Sequence, residues 1–275
     1  MRIRYTSAPL PFQGQKRMFV REFARVLEEA FRGRTLFVDL FGGSGLLSRT
    51  IKDTLPDALV IYNDFDNYAD RLAHISQTNA ILADIRRLVA DEPRGQKLSE
   101  ATKRQVCAYL RAKEWQGEFV DALTLSASLL FSGKFARDVE ALCSNGMYNA
   151  VIRSDYAIAD GYLDGLEVVR MDYRELHQAY MDYPGVVFVA DPPYLSTDKQ
   201  SYNGYWGIAE CLDVLKVLEG SFVYFTSSKS EIVPLAQWIE RVTGWAPMRG
   251  AQMLERRNAV NHTSGYTDVM IYRAI

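Results

Sequence analysis

Residues 35–45, Thr35-Leu36-Phe37-Val38-Asp39-Leu40-Phe41-Gly42-Gly43-Ser44-Gly45, decide the fold of this chain. Thr35 to Leu40 is a short apolar, β-rich run of the kind that is buried on both faces, and the glycines after it break the strand with a tight turn. Leu46 to Leu55 then reads as a helix ending before Pro56, and Ala58 to Tyr62 as a second buried strand closing on Asn63-Asp64. Strand, helix, strand at this spacing is a parallel unit.

Upstream, Phe19, Phe23, Val26, Leu27, Ala30 and Phe31 fall on one helical stripe, which predicts an amphipathic helix over Lys16 to Phe31. Downstream the pattern is helical from about Asn67 to Ala90 and stays helical or irregular through residue 164. Strand-like runs return at Leu166 to Arg170, Val186 to Ala190, Ser221 to Thr226 and Asp268 to Tyr272, with helices over Ile208 to Leu218 and Ser230 to Val242. The expected architecture is α/β: a mostly parallel, twisted, Rossmann-like sheet with helices on both faces. It forms from residues 1–85 and 165–275, interrupted by a mainly helical insertion at 86–164.

Composition narrows the function classes. The chain has 275 residues, 48% of them apolar, which suffices for a large core without disulfides. Its longest apolar run, Val186 to Ala190, is far short of the roughly twenty residues that span a bilayer, and the start shows no secretory signal, so a cytoplasmic location without membrane association is expected. Cys107, Cys143 and Cys211 are as scattered as the three histidines, and no metal site is expected. The net charge of -2 hides opposites. Residues 1–34 carry eight basic and three acidic side chains and residues 86–137 ten and six, whereas residues 138–198 carry three and eleven. Two cationic segments suit a polyanion.

The glycines at 42, 43 and 45 let backbone pass close to a ligand at the carboxyl end of the first strand. Asp64, nineteen residues beyond Gly45, ends the next strand, where a carboxylate can accept from both ribose hydroxyls of an adenosine-containing cofactor. The pattern is FxGxG and not GxGxxG, which provides less for a pyrophosphate and points to S-adenosylmethionine (SAM). Asp191-Pro192-Pro193-Tyr194 follows the strand Val187 to Ala190, again at a carboxyl end. The prolines stiffen the turn and remove two donors, leaving a carboxylate and backbone carbonyls for an exocyclic amine, with an aromatic face beside them.

Together these motifs resemble the Dam-like SAM-dependent DNA adenine-N6 methyltransferases, the α group, in which the glycine motif precedes DPPY. The resemblance spans nearly the whole chain. Pro11 to Lys16 is similar to the family's N-terminal motif, Phe41 to Gly45 to its FxGxG, Asn63-Asp64 to its ribose-binding acid, and Met171-Asp172-Tyr173 to the acidic-aromatic pair before the catalytic motif. The resemblance implies that Phe12, Lys16, Asp39, Phe41, Gly43, Gly45, Asp64, Asp172, Tyr173 and Asp191 hold SAM. In that reading Asp39 takes the methionine ammonium, Asp64 the ribose and Asp172 the adenine amino group. It implies that Asp191, Pro192, Pro193 and Tyr194 hold a flipped-out adenine, and that the partner is double-stranded DNA, read by the insertion. Arg86, Arg87, Lys103, Arg104, Arg111, Lys113, Lys134 and Arg137 are candidate DNA contacts there. Arg256 and Arg257 are further candidates beside a loop expected over Asn258 to Asp268, and Tyr202, Tyr205 and Trp206 belong to a loop that would close over the base. Residues 14–16 depart from the two glycines before lysine usual in the family, and 86–164 shows no familiar recognition pattern, so no target sequence follows. A cognate restriction endonuclease or none, and any oligomeric state, are equally compatible. RNA adenine, protein glutamine or cytosine-N4 methylation, and a catalytically inactive DNA-binding module of the same fold, are the alternatives.

Overall fold

A computed structural model describes residues 4–131, 133–193, 206–228, 230–259 and 265–275. The chain divides into two compact units, the first comprising residues 1–7, 16–66 and 163–275, the second residues 8–15 and 67–162. Each is described by itself.

The first unit is built on a seven-stranded sheet of β1 (Leu36–Asp39), β2 (Leu59–Asn63), β3 (Glu167–Val169), β4 (Val187–Ala190), β5 (Ser221–Ser227), β6 (Gln252–Ala259) and β7 (Gly265–Arg273), in the order β3-β2-β1-β4-β5-β7-β6. All pairs from β3 to β5 are parallel, and β7 runs antiparallel between β5 and β6. The chain leaves β1 toward β2 and β3 but returns to β1's other side with β4. The switch point therefore lies between β1 and β4, where ligands bind in open α/β sheets.

Period-two alternation supplies both faces of this sheet. Val38, Leu40, Phe188, Phe222 and Ile271 pack on one face with α8 (Tyr173–Tyr180), α9 (Ile208–Val217) and α10 (Ile232–Thr243). Phe37, Val60, Val187, Val223 and Met270 pack on the other with α1 (Val20–Ala30) and α2 (Leu46–Thr54). The mostly parallel α/β sheet with helices on both faces is the fold expected from the motifs.

The predicted strands lie within about two residues of those observed, β7 apart, but β6 was not expected, and the loop read over Asn258 to Asp268 is shorter than predicted. Strand β6 ends at Ala259 and β7 begins at Gly265. Gln252 to Ala259 carries Glu255, Arg256 and Arg257 and pairs only with β7 at the sheet edge, so it lacks the apolar pattern of a central strand.

The second unit is helical: α3 (Tyr68–Ala73), α4 (Ile75–Leu88), α5 (Glu100–Trp115), α6 (Ala122–Leu129) and α7 (Val139–Ser144). The side chains of Ser99, Asp121 and Asp138 accept from the backbone N–H groups of Thr102, Thr124 and Ala141, capping α5, α6 and α7. Ile81, Leu82 and Ile85 of α4 share a core with Val106, Leu110, Leu125 and Leu142. That packing assigns residues 67–85 to this unit, so it begins before the residue-86 boundary read from the sequence. Segment 8–15 also belongs here. Leu10 exchanges hydrogen bonds with the Tyr68 hydroxyl, and Arg71 donates to the Pro11 carbonyl at 2.8 Å while forking onto Asp121 at 3.0 and 3.1 Å. Among the described residues no helix is long and apolar enough to cross a membrane.

Candidate active site

The register of the first unit brings the candidate residues to one end of the sheet. Asp39 pairs with Tyr62 on one side and with Val189 on the other, and Asn63 pairs with Val169, so the carboxyl ends of β3, β2, β1 and β4 lie in a row. The glycine turn leaves from β1 and Asp191 follows β4, one on each side of the switch point.

The glycine turn is tightly held. Gly45 donates to the Gly42 carbonyl at 2.8 Å, and Gly43 and Gly45 have φ of 50° and 69°, a region costly for residues with a Cβ. A Cβ on Gly42 would sit 2.3 Å from the Tyr62 ring and 2.8 Å from the Asn63 carbonyl oxygen, so the turn lies directly against β2. Tyr62 places its hydroxyl 2.8 Å from the Gly43 carbonyl oxygen and 3.1 Å from Asp64 Oδ1. One buried phenol thus ties the glycine turn to the acid at the end of β2. Asn63 makes a second tie, donating to the Leu40 and Met171 carbonyls and accepting from the Met171 N–H.

Asp39 is fully buried and turns, with Phe37, toward the α2 side of the sheet, where Ser48 Oγ donates to its Oδ2 at 2.7 Å. Its Oδ1 has no hydrogen-bond partner among the described residues. Burial pushes its pKa up to about 7; Asp191 pushes the same way, and hydrogen bonding from Ser48 and Phe41 opposes. Across the switch point, Lys16 Nζ lies 2.6 Å from Asp191 Oδ2, and both side chains are largely buried. Burial raises the Asp191 pKa, Lys16 works against the rise, and Asp268 of β7 adds to it. Asp191 is thus coupled to Asp39 on one side and to Asp268 on another, with Lys16 as its own counter-ion, and the accumulation of acidic groups favours a cationic ligand.

An aromatic group lies beside it. The Phe41 ring centroid is 4.8 Å from that of Tyr173 and 5.7 Å from that of Trp206. Burial raises the Tyr173 pKa to about 12, which keeps the phenol neutral. Asp172 is more exposed: its Oδ1 accepts from the Arg174 N–H at 2.8 Å, capping α8, and Arg174 lies 3.7 Å from its Oδ2. Phe12 belongs to the second unit, where it packs edge-on against Tyr68. Pro192 and Pro193 follow Asp191 out of β4, while Tyr194, Tyr202 and Tyr205 lie outside the described residues.

Sequence reasoning singled out Lys16, Asp39, Phe41, the glycines of the turn, Asp64, Asp172, Tyr173 and Asp191 but assigned no role to Tyr62 or Asp268 and none of its own to Asn63. The signal for Tyr62 and Asn63 was their place at the end of β2. Asp268 had none, because only the β5–β7 pairing carries it toward β4.

No family model matches the chain. It is 35% identical over 277 residues to a Haemophilus influenzae protein named "Putative methyltransferase", an alignment covering 98% of this chain and 93% of that protein. With its strand order and its glycine turn at the switch point, the chain belongs to this methyltransferase family.

Proposed function

We propose that the protein transfers a methyl group from SAM to the N6 amino group of adenine in double-stranded DNA. The observation that carries this reading is the buried Asp191, followed by two prolines at the end of β4 and ion-paired with Lys16, across the switch point from the glycine turn. The residues fit the cofactor. The free Oδ1 of buried Asp39 suits an ammonium, Asp64 suits a ribose, and the acidic field suits a sulfonium. SAM would supply an electrophilic methyl on that sulfonium. Lys16, Phe41, Gly43 and Gly45 would line its methionine end, with Asp172 and Tyr173 toward its adenine.

The chain's own residues account for the rest of the chemistry. Adenine N6 is a weak nucleophile because its lone pair is delocalised into the ring, and it reaches a methyl donor only when the base leaves the stack. The Asp191 carboxylate and the carbonyl of Pro192 would accept the two amino hydrogens, drawing the nitrogen toward a tetrahedral shape, with Tyr194 stacking on the base. Methyl transfer would then be a direct in-line displacement in which the N–C bond forms as the S–C bond breaks, leaving the cofactor as a neutral thioether, and the methylated nitrogen would give up one proton. Positioning and the carboxylate's stabilisation of the positive charge on nitrogen would accelerate it. Lys16 favours the ionised form of Asp191 that this needs, working against the effect of burial. No enzyme-bound covalent intermediate is required.

The helical second unit and the basic segment 86–137 would supply the DNA contacts. Some of those cations already have structural work: Arg86 holds the Ile152 and Ser154 carbonyls and pairs with Asp155, bracing the unit.

The test is transfer of labelled methyl from SAM to duplex DNA, followed by nucleoside analysis. N6-methyladenine is expected, and Asp191→Ala should abolish transfer while SAM still binds. Label in N4-methylcytosine, in RNA or in protein would replace the acceptor, and DNA retention without label would indicate an inactive DNA-binding module.

A further inference from the structure

We infer that the outward face of α5 is a duplex-reading surface that enters the DNA major groove. This rests on the proposed DNA substrate and adds which element meets it. Helix α5 is unusual in what it leaves in water. Its buried stripe is Val106, Cys107 and Leu110; its opposite stripe is Arg104, Ala108, Arg111 and Trp115, flanked by Gln105 and Ala112, all exposed. These positions recur at the helical period and so share one face, about 16 Å long from Arg104 to Trp115.

Three features of this face point to a nucleic acid. First, Trp115 is 89% exposed and no described ring or cation packs on it, so a large apolar surface stays in water at the helix's last turn. The turn is closed immediately afterwards by Gly117 at φ 77°, with the Glu118 N–H bonding back to the Lys113 carbonyl, so the exposure belongs to a finished helix end and not to a fraying one. Second, the face is cationic. Over the helix four basic side chains stand against two acidic ones. Among the described residues the Arg104 guanidinium reaches only its own helix's Glu100 carbonyl, at 3.3 Å, while Arg111 is held by Glu140 at 2.8 Å. Third, Ala108 lies between the two arginines on this face and Ala112 beside Arg111, and their small side chains let the helix axis approach a groove floor while Arg104 and Gln105 extend to phosphates and base edges. An indole at the end of such a face can stack on an unpaired base.

The experiment uses the full chain with a fluorescein-labelled duplex, anisotropy titrations over a range of salt, and the variants Arg104→Ala, Trp115→Ala and, as a control on α10, exposed Arg241→Ala. Trp115→Ala should weaken binding roughly tenfold. Arg104→Ala should reduce the slope of log affinity against log salt by about one. Arg241→Ala should leave both unchanged, and all three should melt like the wild type. Wild-type binding and methylation of DNA with unaltered affinity and slope in the α5 variants would overturn the assignment of this face and leave the proposed function standing. A wild type that neither binds nor methylates DNA would overturn both. A dimer that Trp115→Ala dissociates, with DNA affinity unchanged, would make the face a self-association surface instead.

Discussion

The Lys16 ammonium and the Asp191 carboxylate meet at 2.6 Å although 175 residues separate them. Lys16 begins the helical segment that leads into α1, and Asp191 follows β4. Together they form a buried pair whose cation offsets the effect of burial and of Asp268 on the carboxylate.

Replacing Lys16 with Met should therefore do two separable things. Asp191 would keep its burial but lose its counter-ion, at a cost of about 3 kcal/mol in stability near neutral pH, measurable by denaturant unfolding. Its pKa would climb further, so the acid limb of the pH–rate profile should move to higher pH, with activity at pH 7 down about a hundredfold. An unshifted limb would separate Lys16 from Asp191 ionisation.

Asp39 sets a second pH dependence. Its pKa is raised from 3.8 to about 7 by burial, so between these values the folded state holds a proton that the unfolded state has lost. The protonated form is the one folding favours. Stability from this group is therefore greatest at low pH and falls as pH rises toward 7, by up to ~4 kcal/mol. Asp39→Asn should flatten that decline in melting curves of the ligand-free protein. Binding of a cationic cofactor should run the other way in the wild type, tightening as pH passes about 7, and calorimetry on both proteins checks this.

Gly42→Ala should damage the site through packing alone. The added methyl would overlap the Tyr62 ring, and the backbone oxygen of Asn63 closes the other side, so the turn must move off β2. A loss of about 2 kcal/mol is expected, with cofactor affinity falling alongside. Tyr62→Phe, which keeps the ring and removes the hydroxyl shared by Gly43 and Asp64, should weaken cofactor binding with a smaller loss of stability, about 1 kcal/mol.

In the helical unit, Arg71 and Asp121 form a buried fork that also reaches Pro11 and Thr124. Asp121→Ala should cost about 4 kcal/mol, since it leaves a buried guanidinium unpaired and removes the cap of α6. Hydrogen exchange should show the loss in residues 8–15 as well as in α6, because Arg71 holds both.

Much of the fold was legible because its signals are local. Thr35 to Leu40 and Val186 to Ala190 are continuous apolar runs, and buried parallel strands require such runs whatever surrounds them. β6 was not legible, since an edge strand exposed on its outer side needs no apolar pattern. The place of α4 is not legible either: it looks the same whether it packs on a sheet or on other helices, and only its neighbours α5 and α7 assign it.

The sequence by itself determined the class of the molecule, the parallel sheet, and the two strand-end motifs that carry the chemistry, because glycines, prolines and apolar runs act on the few residues around them. Tertiary structure alone decided that Lys16 reaches Asp191, that Asp268 bears on the same carboxylate, that Tyr62 joins the glycine turn to Asp64, and that Asp39 is buried with one oxygen unpartnered among the described residues. Burial and charge coupling are properties of distances in space. The strand order that creates those distances brings together residues far apart in the chain, and no local pattern encodes it.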